Sequence, residues 1–338
     1  MQADLSVFRL NPKTDTEPHY DPFQVTALPE YATVLDALIK VRDDMDGSLA
    51  LRCSCRSAVC GSCGMRVNGE AKLTCKTKLA DMLKDGEEIV VEPMGYPANQ
   101  ETMPIIKDLV VDMTAFWNKV GAVKPWVEPK GERPEREHLL TQDSMVELQQ
   151  AMNCIMCGAC VSDCTVLEVD KGFLGPAALA KAYRAVGDPR DDRGRERLRD
   201  LSEKTGVWDC THCFECVQVC PKDVAPMDQI LKLRKLAMDE GFTDNNGARH
   251  SEAAVGFIEH SGKLDELRFI PKTHKIPPFG FNIAEAIRQM PGAIRMALKG
   301  KMPPLFHKPI PGIEHVKSLF KKLEEKEKTA PKTPKCGC

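Results

Sequence analysis

The feature that most constrains this chain is a pair of short segments that hold four cysteines each. They are CIMCGACVSDC at 154–164 and CTHCFECVQVC at 210–220, both spaced C-x2-C-x2-C-x3-C. Bacterial ferredoxins share this spacing, and in their two-cluster forms the fourth cysteine of each run binds the other run's four-iron cluster. The pattern predicts two [4Fe–4S] clusters, the first bound by Cys154, Cys157, Cys160 and Cys220 and the second by Cys164, Cys210, Cys213 and Cys216.

A third group of cysteines lies in CSCRSAVCGSCGMRVNGEAKLTC at 53–75. It contains the C-x4-C-x2-C spacing with one more cysteine downstream, which is the plant-type pattern for a [2Fe–2S] cluster. Gly61 and Gly64 let the backbone wrap closely around sulfur. Zinc is the alternative metal, although zinc sites favour two separated C-x2-C pairs. The predicted [2Fe–2S] ligands are Cys55, Cys60, Cys63 and Cys75.

Three of the 15 cysteines are left over. Cys53 is interpreted as a buried or free thiol. For Cys336 and Cys338 a disordered tail is the favoured interpretation, and metal binding or reactivity as thiols is the alternative. Such tight spacing suits metal binding better than disulfides, which indicates a reducing compartment. The start of the chain has no signal-peptide pattern and no apolar stretch is long enough to span a bilayer. We therefore expect a cytoplasmic protein, although a partner with its own export signal could carry it across a membrane.

The organisation along the chain predicts an α+β protein in three parts. Residues 1–110 combine strand-like LSVFRL and EIVVEP with helical TVLDALIKV. Residues 111–240 are mostly helical, with Pro176 favourable in a first turn and Gly241 as a C-cap. Residues 241–338 form a helical and irregular extension broken by prolines. No nucleotide-binding glycine motif or hydrolytic constellation occurs, so we expect no flavin, no nucleotide and no substrate chemistry on this chain.

The C-terminal part carries a net positive charge, unlike the rest of the chain. Residues 261–338 contain 16 Lys and Arg against 7 Asp and Glu, a net charge of +9 in a chain of net charge −2. Such a segment can dock on a protein or on anionic lipid. Residues 282–301 have an amphipathic pattern, which Pro291 is expected to split into two helices. Protein docking is the favoured interpretation for this stretch, and membrane contact is expected to be indirect.

About residues 4–240 resemble the iron–sulfur subunit of succinate dehydrogenase and fumarate reductase. The resemblance rests on SCRSAVCGSC with Cys75, on FLGPAALAKAYRAVGDPRDDRGRERL and on the two cysteine runs in their order. It implies a plant-type ferredoxin-like (β-grasp) domain followed by an α-helical ferredoxin domain. It also implies a partner flavoprotein that carries FAD and interconverts succinate and fumarate, in a complex peripheral to the cytoplasmic membrane. The [2Fe–2S] centre would face the flavin.

Two departures from that family pattern affect the second run. Most members have a non-cysteine residue in place of Cys213 and hold a [3Fe–4S] cluster there. The extra thiol predicts [4Fe–4S] with a lower potential, unless Cys213 does not coordinate and the cluster stays [3Fe–4S]. Members that reduce quinone usually have proline and a nearby tryptophan after the equivalent of Cys164, whereas this chain reads CTVLEVD. The usual quinone pocket is therefore not expected.

The segments HSEAAVGFIEHSGKLDE and ALKGKMPPLFHKPIPGIEHVKSLFKKL resemble the C-terminal part of the heterodisulfide reductase polypeptide that pairs with a cysteine-rich partner bearing CCG motifs. That resemblance implies such a partner here, as in type-E succinate dehydrogenases and fumarate reductases. The chain is then an electron-transfer subunit between the flavoprotein and a CCG-type or quinone-reactive subunit, with no nucleic-acid partner. The alternatives are a thiol-driven fumarate reductase or another heterodisulfide-type oxidoreductase and, in another class, a zinc-binding scaffold.

Overall fold

The computed structural model describes residues 1–83, 88–129, 131–132, 134–203, 205–304 and 308–329. Cys336 and Cys338 lie outside the described residues. The chain divides into a compact unit, Met1–Leu233, and a second unit that begins at Arg234. The first unit contains all three groups of cysteines.

A five-stranded sheet of order β2-β1-β5-β3-β4 forms the core of the N-terminal region. β1 pairs parallel with β5, and the β1–β2, β3–β4 and β3–β5 pairs are antiparallel. The alternating side chains of LSVFRL and EIVVEP place one buried face in β1 and β5, so both predicted strands are confirmed. The five strands are β1 (Ala3–Arg9), β2 (His19–Val25), β3 (Gly64–Val67), β4 (Glu70–Leu73) and β5 (Ile89–Glu92).

The helix α1 (Val34–Lys40) packs against this sheet and confirms the prediction for TVLDALIKV. Thr33 accepts a hydrogen bond from the Asp36 N–H, and the Asp36 carboxylate accepts one from the Thr33 N–H, a capping box that fixes the start of the helix. A π-helical turn (Val41–Met45) continues it. The region also contains α2 (Leu79–Met82) and a hairpin of β6 (Ile105–Lys107) and β7 (Val110–Val111).

The rest of the first unit is helical, so the predicted α+β class is confirmed. Pro176 lies in the first turn of α7, whose side chains are almost all buried. At the end of α10 the Phe242 N–H donates to the Ala237 carbonyl, and Gly241 adopts φ +85°, so the predicted C-cap is confirmed. The helices are α3 (Thr114–Ala122), α4 (Gln142–Met152), α5 (Ala159–Ser162), α6 (Thr165–Val169), α7 (Pro176–Val186), α8 (Gly194–Leu201), α9 (Glu215–Gln218) and α10 (Pro226–Asp239).

The second unit contains the C-terminal part of α10 and, among its described residues, four further helices: α11 (Asn246–Ser261), α12 (Glu266–His274), α13 (Ile283–Leu298) and α14 (Ile313–Thr329). The predicted split at Pro291 is wrong, because Pro291 lies inside the continuous α13. Proline removes one backbone N–H, and on a solvent-exposed helix the carbonyl it would have served can bond to water. No helix in the described ranges is long and apolar enough to cross a membrane.

Candidate functional site: three groups of cysteines

In the first group, Cys55, Cys60 and Cys63 lie on the loop between α1 and β3, and Cys75 lies just beyond β4. The Cys55 sulfur accepts backbone hydrogen bonds from Ser57, Val59 and Cys60, at N···S distances of 3.4, 3.4 and 3.3 Å. The Ala58 N–H donates to the Cys75 sulfur at 3.3 Å. A loop whose N–H groups converge on sulfur stabilises negative charge on thiolates, as an iron–sulfur centre requires.

The four thiols of this group differ in exposure. Cys55 and Cys60 are exposed, whereas Cys63 is buried and packs with Leu35 and Leu73. Hydrogen bonds from the Ser62 side chain, and then from backbone N–H groups, lower the pKa of Cys60 to about 6. Burial raises the pKa of Cys63 to about 11. Cys63 thus lies on the side of the group that faces the protein interior, and Cys55 and Cys60 lie on the side that faces the surface.

The structure brings Cys220 of the second run to the thiols of the first run. Burial, and then the nearby thiolates of Cys154 and Cys220, raise the pKa of Cys157 to about 11. Burial raises the pKa of Cys160 well above its usual value, and Cys157, Cys154, Cys216 and Cys220 add to the effect. These thiols line a cavity whose other walls include Ala177, Ala180 and Val224. A small apolar cavity ringed by four thiols fits a cubane cluster.

The structure also brings Cys164 of the first run to the second run. Burial raises the pKa of Cys164 to about 11, and the nearby thiolates of Cys213 and Cys210 add to this rise. Hydrogen bonds from backbone N–H groups of α6 act in the opposite direction and lower the pKa. Burial raises the pKa of Cys216 to about 12, and the thiolates of Cys210, Cys164 and Cys213 contribute to that shift. Cys213 is an exposed member of this group. The residues present fit a second cluster with four available thiols.

The residues on both sides of Cys213 adopt left-handed backbone conformations. His212 and Phe214 both have positive φ, +59° and +68°, although neither is glycine. Such residues favour the right-handed region, and a left-handed conformation on each side of one cysteine is costly. Phe214 is 52% exposed in this arrangement.

The loop of the first group touches the first run directly. Gly61 has φ +74°, and a Cβ at this position would lie 2.9 Å from the Cα and Cβ of Cys157. Only glycine fits this contact without displacing one of the two segments. The two predicted centres are therefore next to each other in the fold.

Polar side chains that no sequence pattern had singled out hold the segments together. The Asn99 amide is fully buried and donates to the carbonyls of Ser162 and Cys164 at 2.8 and 3.2 Å. The Asp163 carboxylate pairs with Arg66 and accepts the Ala71 N–H at 3.0 Å. Isolated polar residues carry no periodic or spacing signal, so only the folded structure reveals these roles.

A further cation lies close to the second group. The Lys119 ammonium donates to the carbonyls of Lys171 and Phe173, both at 2.6 Å. Burial lowers the pKa of Lys119, while the negative charges of Asp170 and Cys164 oppose that shift. This half-buried side chain was also missed by sequence reasoning.

Cys53 is not among the predicted ligands. It is partly buried and packs with Leu35, Leu73 and the predicted ligand Cys63. Its interpretation as a thiol outside the cluster pattern stays a prediction. Among the described residues, no three Cys, His, Asp or Glu side chains converge on a position for a single metal ion. In a [4Fe–4S] cluster each cysteine binds a different iron atom, and in a [2Fe–2S] cluster two cysteines bind each iron, so the four ligands of a cluster stand further apart than the ligands of one zinc ion.

This combination of a thiolate loop on a small sheet and two crossed cysteine runs among helices defines an iron–sulfur electron-transfer protein. Residues 4–118 match the family described as "2Fe-2S iron-sulfur cluster binding domain", and residues 150–224 match "4Fe-4S dicluster domain". The predicted cofactor types, [2Fe–2S] and [4Fe–4S], are thereby confirmed.

Curated relatives identify the family. The chain is 38% identical over 235 residues to the fumarate reductase iron-sulfur subunit of Mycobacterium tuberculosis, covering 69% of this chain and 92% of the relative. It is 34% identical over 239 residues to the succinate dehydrogenase iron-sulfur subunit of Coxiella burnetii, covering 70% and 97%. A chain of the "Mycobacterium smegmatis Sdh1 complex in the apo form" aligns with TM-score 0.62 and 25% identity, over 72% of this chain and 98% of that one.

The chain belongs to the family of iron–sulfur subunits of succinate dehydrogenases and fumarate reductases. It is an electron-transfer subunit of an oxidoreductase complex, which decides against the zinc-scaffold alternative.

Proposed function

We propose that this subunit relays single electrons between a FAD-containing succinate or fumarate flavoprotein and a CCG-type subunit related to heterodisulfide reductase. The proposed ligands are those predicted from the sequence: Cys55, Cys60, Cys63 and Cys75 for [2Fe–2S], Cys154, Cys157, Cys160 and Cys220 for the first [4Fe–4S], and Cys164, Cys210, Cys213 and Cys216 for the second. When bound, these clusters supply one-electron transfer, and the protein sets their positions and surroundings.

The surroundings of the cysteine groups are compatible with an electron relay. The exposed side of the first group, at Cys55 and Cys60, provides a surface for the flavoprotein. The Gly61–Cys157 contact keeps the loop next to the first run. The sheet order of residues 1–110 is compatible with a β-grasp domain, residues 111–240 with an α-helical ferredoxin domain, and residues 241–338 with an extension.

The observation that carries the proposal is the position of Cys213. Its thiolate interacts with Cys164 and Cys216, and these two residues come from different runs. A fourth thiol at this place completes the ligand set of a four-iron cluster, whereas three thiols hold a three-iron cluster. We therefore propose [4Fe–4S] for the second centre.

The surface beside this centre supports a protein partner in place of the usual quinone pocket. Val169, five residues beyond Cys164, is 88% exposed, and Phe214 beside Cys213 is 52% exposed. Exposed apolar side chains next to a redox centre suit a partner that brings its own centre close. Such a complex would lie peripherally at the cytoplasmic membrane. A thiol-driven fumarate reductase is the related alternative, and the electron donor accepted by the purified complex separates the two.

Electron paramagnetic resonance of the complex, isolated and mildly oxidised, tests the proposal. We expect no near-isotropic three-iron signal and, on reduction, the signals of two four-iron centres. Cys213→Ser should convert the second centre to a three-iron form and produce that signal. Cys53→Ser, which changes a thiol outside the predicted ligand sets, is the matched control and should leave the spectra unchanged.

A stoichiometric three-iron signal in the unmodified complex that resists added iron and thiol would contradict the ligand role of Cys213. Copurification with the unmodified chain tests the partner separately. Recovery of a flavoprotein together with a membrane-anchor subunit of the ordinary quinone-reducing kind, and no CCG-type subunit, would contradict the second half of the proposal.

A further inference from the structure

The helix α13 has an apolar face that the second unit leaves uncovered. None of its residues is buried, although it runs for 16 residues. Its large apolar side chains recur at helical spacing on one side and are all exposed, by 63% at Ile283, 61% at Ile287, 50% at Met290, 52% at Ile294 and 84% at Leu298. A continuous exposed face of this kind marks an interaction surface.

The neighbouring helix α14 differs from α13, because its apolar side is only partly exposed, at Leu319 and Leu323. Ile313, Val316 and Phe320 of α14 are partly covered, and that helix packs against α11. The apolar side of α14 therefore contributes to the packing of the unit, whereas the apolar side of α13 does not.

The opposite side of α13 is positively charged. Arg288, Arg295 and Lys299 lie on it at helical spacing, and Lys301 follows the helix. The single acidic residue, Glu285, is already paired, since it accepts two hydrogen bonds from Arg288 at 2.8 Å and one from Gln289 at 2.7 Å. The helix thus combines an uncovered apolar face with a row of cations.

The width of the apolar face distinguishes between the two kinds of surface it could contact. At 100° per residue, the isoleucines, Met290 and Leu298 together with Ala286, Ala293 and Ala297 span an arc of about 140°. A helix that packs on a protein core needs an apolar stripe of about 100° or more, and this arc is wider than that minimum. A helix with a wide apolar face and with Lys and Arg on the opposite side is typical of helices that lie in the interface of a lipid bilayer.

We infer that α13 binds directly to an anionic phospholipid surface, with its apolar face in the acyl-chain boundary and Arg288, Arg295 and Lys299 at the headgroups. This replaces the protein-docking interpretation favoured from the sequence, and it adds a membrane contact made by this chain itself. The inference does not depend on the ligands or partners of the clusters.

Vesicle flotation of the full-length, cluster-loaded chain tests the inference. We expect flotation with vesicles of phosphatidylglycerol and phosphatidylcholine in equal parts, much less with phosphatidylcholine alone, and a decrease at high salt. Two variants place the same charge on opposite sides of α13: Ile294→Glu on the apolar face and Met296→Glu on the polar face. Circular dichroism and the cluster spectra check that both variants are folded.

Ile294→Glu should weaken binding to the vesicles by about tenfold or more, because it places a charge where the inference puts an apolar side chain among the acyl chains. Met296→Glu should weaken it only slightly. Absence of flotation in the unmodified chain, or equal behaviour of the two variants, would overturn the inference. So would an Ile294→Glu chain that still floats but no longer copurifies with its partner protein, since that result identifies the face as a protein-docking surface.

Discussion

The first group of thiols, Cys55 to Cys75, differs from the two runs, 154–164 and 210–220, in how its thiols are surrounded. In the loop, backbone N–H groups at 3.3 to 3.4 Å surround the sulfur of Cys55, and two thiols reach the surface. In the runs, several thiols are buried, and burial dominates their pKa values.

The difference shows how a protein gives neighbouring redox centres different environments. Hydrogen bonds and solvent stabilise extra negative charge, whereas burial disfavours it. The loop is also built locally, from residues close in sequence, while each group in the runs combines cysteines from both. Changes in the loop should therefore act on one centre, and changes in the helical frame should act on the other two.

Gly61→Ala should break this arrangement most strongly, because Gly61 is where loop and run meet. An added Cβ would lie 2.9 Å from Cys157 and would also impose a side chain on φ +74°. We expect a loss of about 3 kcal/mol in the free energy of unfolding and a lower [2Fe–2S] content. Thermal unfolding and quantitative electron paramagnetic resonance measure the two effects.

Gly69→Ala is the matched control for that change. Gly69 has φ +79°, but a Cβ there would have no neighbour within 4 Å. It should cost only about 1 kcal/mol of backbone strain and leave all centres intact. Equal effects of the two substitutions would show that the contact with Cys157 does not matter.

Asp188→Asn tests the helical frame and should have an intermediate effect. The buried Asp188 follows α7 and pairs with Arg190 and Arg184 at 2.7 and 2.9 Å. Burial alone would raise the pKa of Asp188, but the hydrogen bonds and charges of the two arginines outweigh it and hold the pKa below its usual 3.8. The carboxylate therefore stabilises the fold above that usual value, and this contribution is lost as the pH falls through the lowered pKa.

We expect the variant to be less stable by about 2 kcal/mol at pH 7, with the difference constant down to about pH 5 and smaller below about pH 4. Urea unfolding followed by circular dichroism at several pH values measures it. Asp200→Asn, in an exposed pair with Arg199, is the control and should cost less than about 0.5 kcal/mol. A difference that persists undiminished at low pH would contradict a role for the Asp188 charge.

Lys119→Met should have the smallest effect on stability. It tests whether a charge beside Cys164 changes the reduction potential of one centre and not of the other. It removes a half-buried cation that interacts with Cys164, so the second four-cysteine centre should shift to a more negative reduction potential while [2Fe–2S] stays unchanged. Redox titration followed by electron paramagnetic resonance measures both. Lys171→Met removes an exposed, screened cation and should shift the potential less. Equal shifts of the reduction potential in the two variants would show that Lys119 does not act through its position beside Cys164.

Sequence reasoning worked best where chemistry depends on spacing. The cysteine patterns led to the cluster types and to the family, and the alternating and helical patterns located β1, β5 and α1. The short strands β3 and β4 went unpredicted because two four-residue segments, joined by Asn68 and Gly69, carry little periodic signal.

The contacts between segments could not be predicted in the same way. Gly61 was selected for its flexibility near sulfur, but its contact with Cys157 depends on how the sheet region and the helices pack. Asn99 and Asp163 act through buried hydrogen bonds to distant segments. Pro291 shows the opposite error, since a residue that weakens helices locally was accommodated on an exposed helix.

The crossing of the two runs has a consequence for how the holoprotein assembles. Cys164 lies with the second run and Cys220 with the first. Each cluster would therefore join the two runs and close the intervening chain, residues 165–209, into a ring. Closing a loop of this length carries an entropic cost, which the first cluster to form would meet. The second would then find its thiols already gathered at high effective concentration. Cluster loading of this pair should therefore be cooperative, with half-loaded molecules scarce.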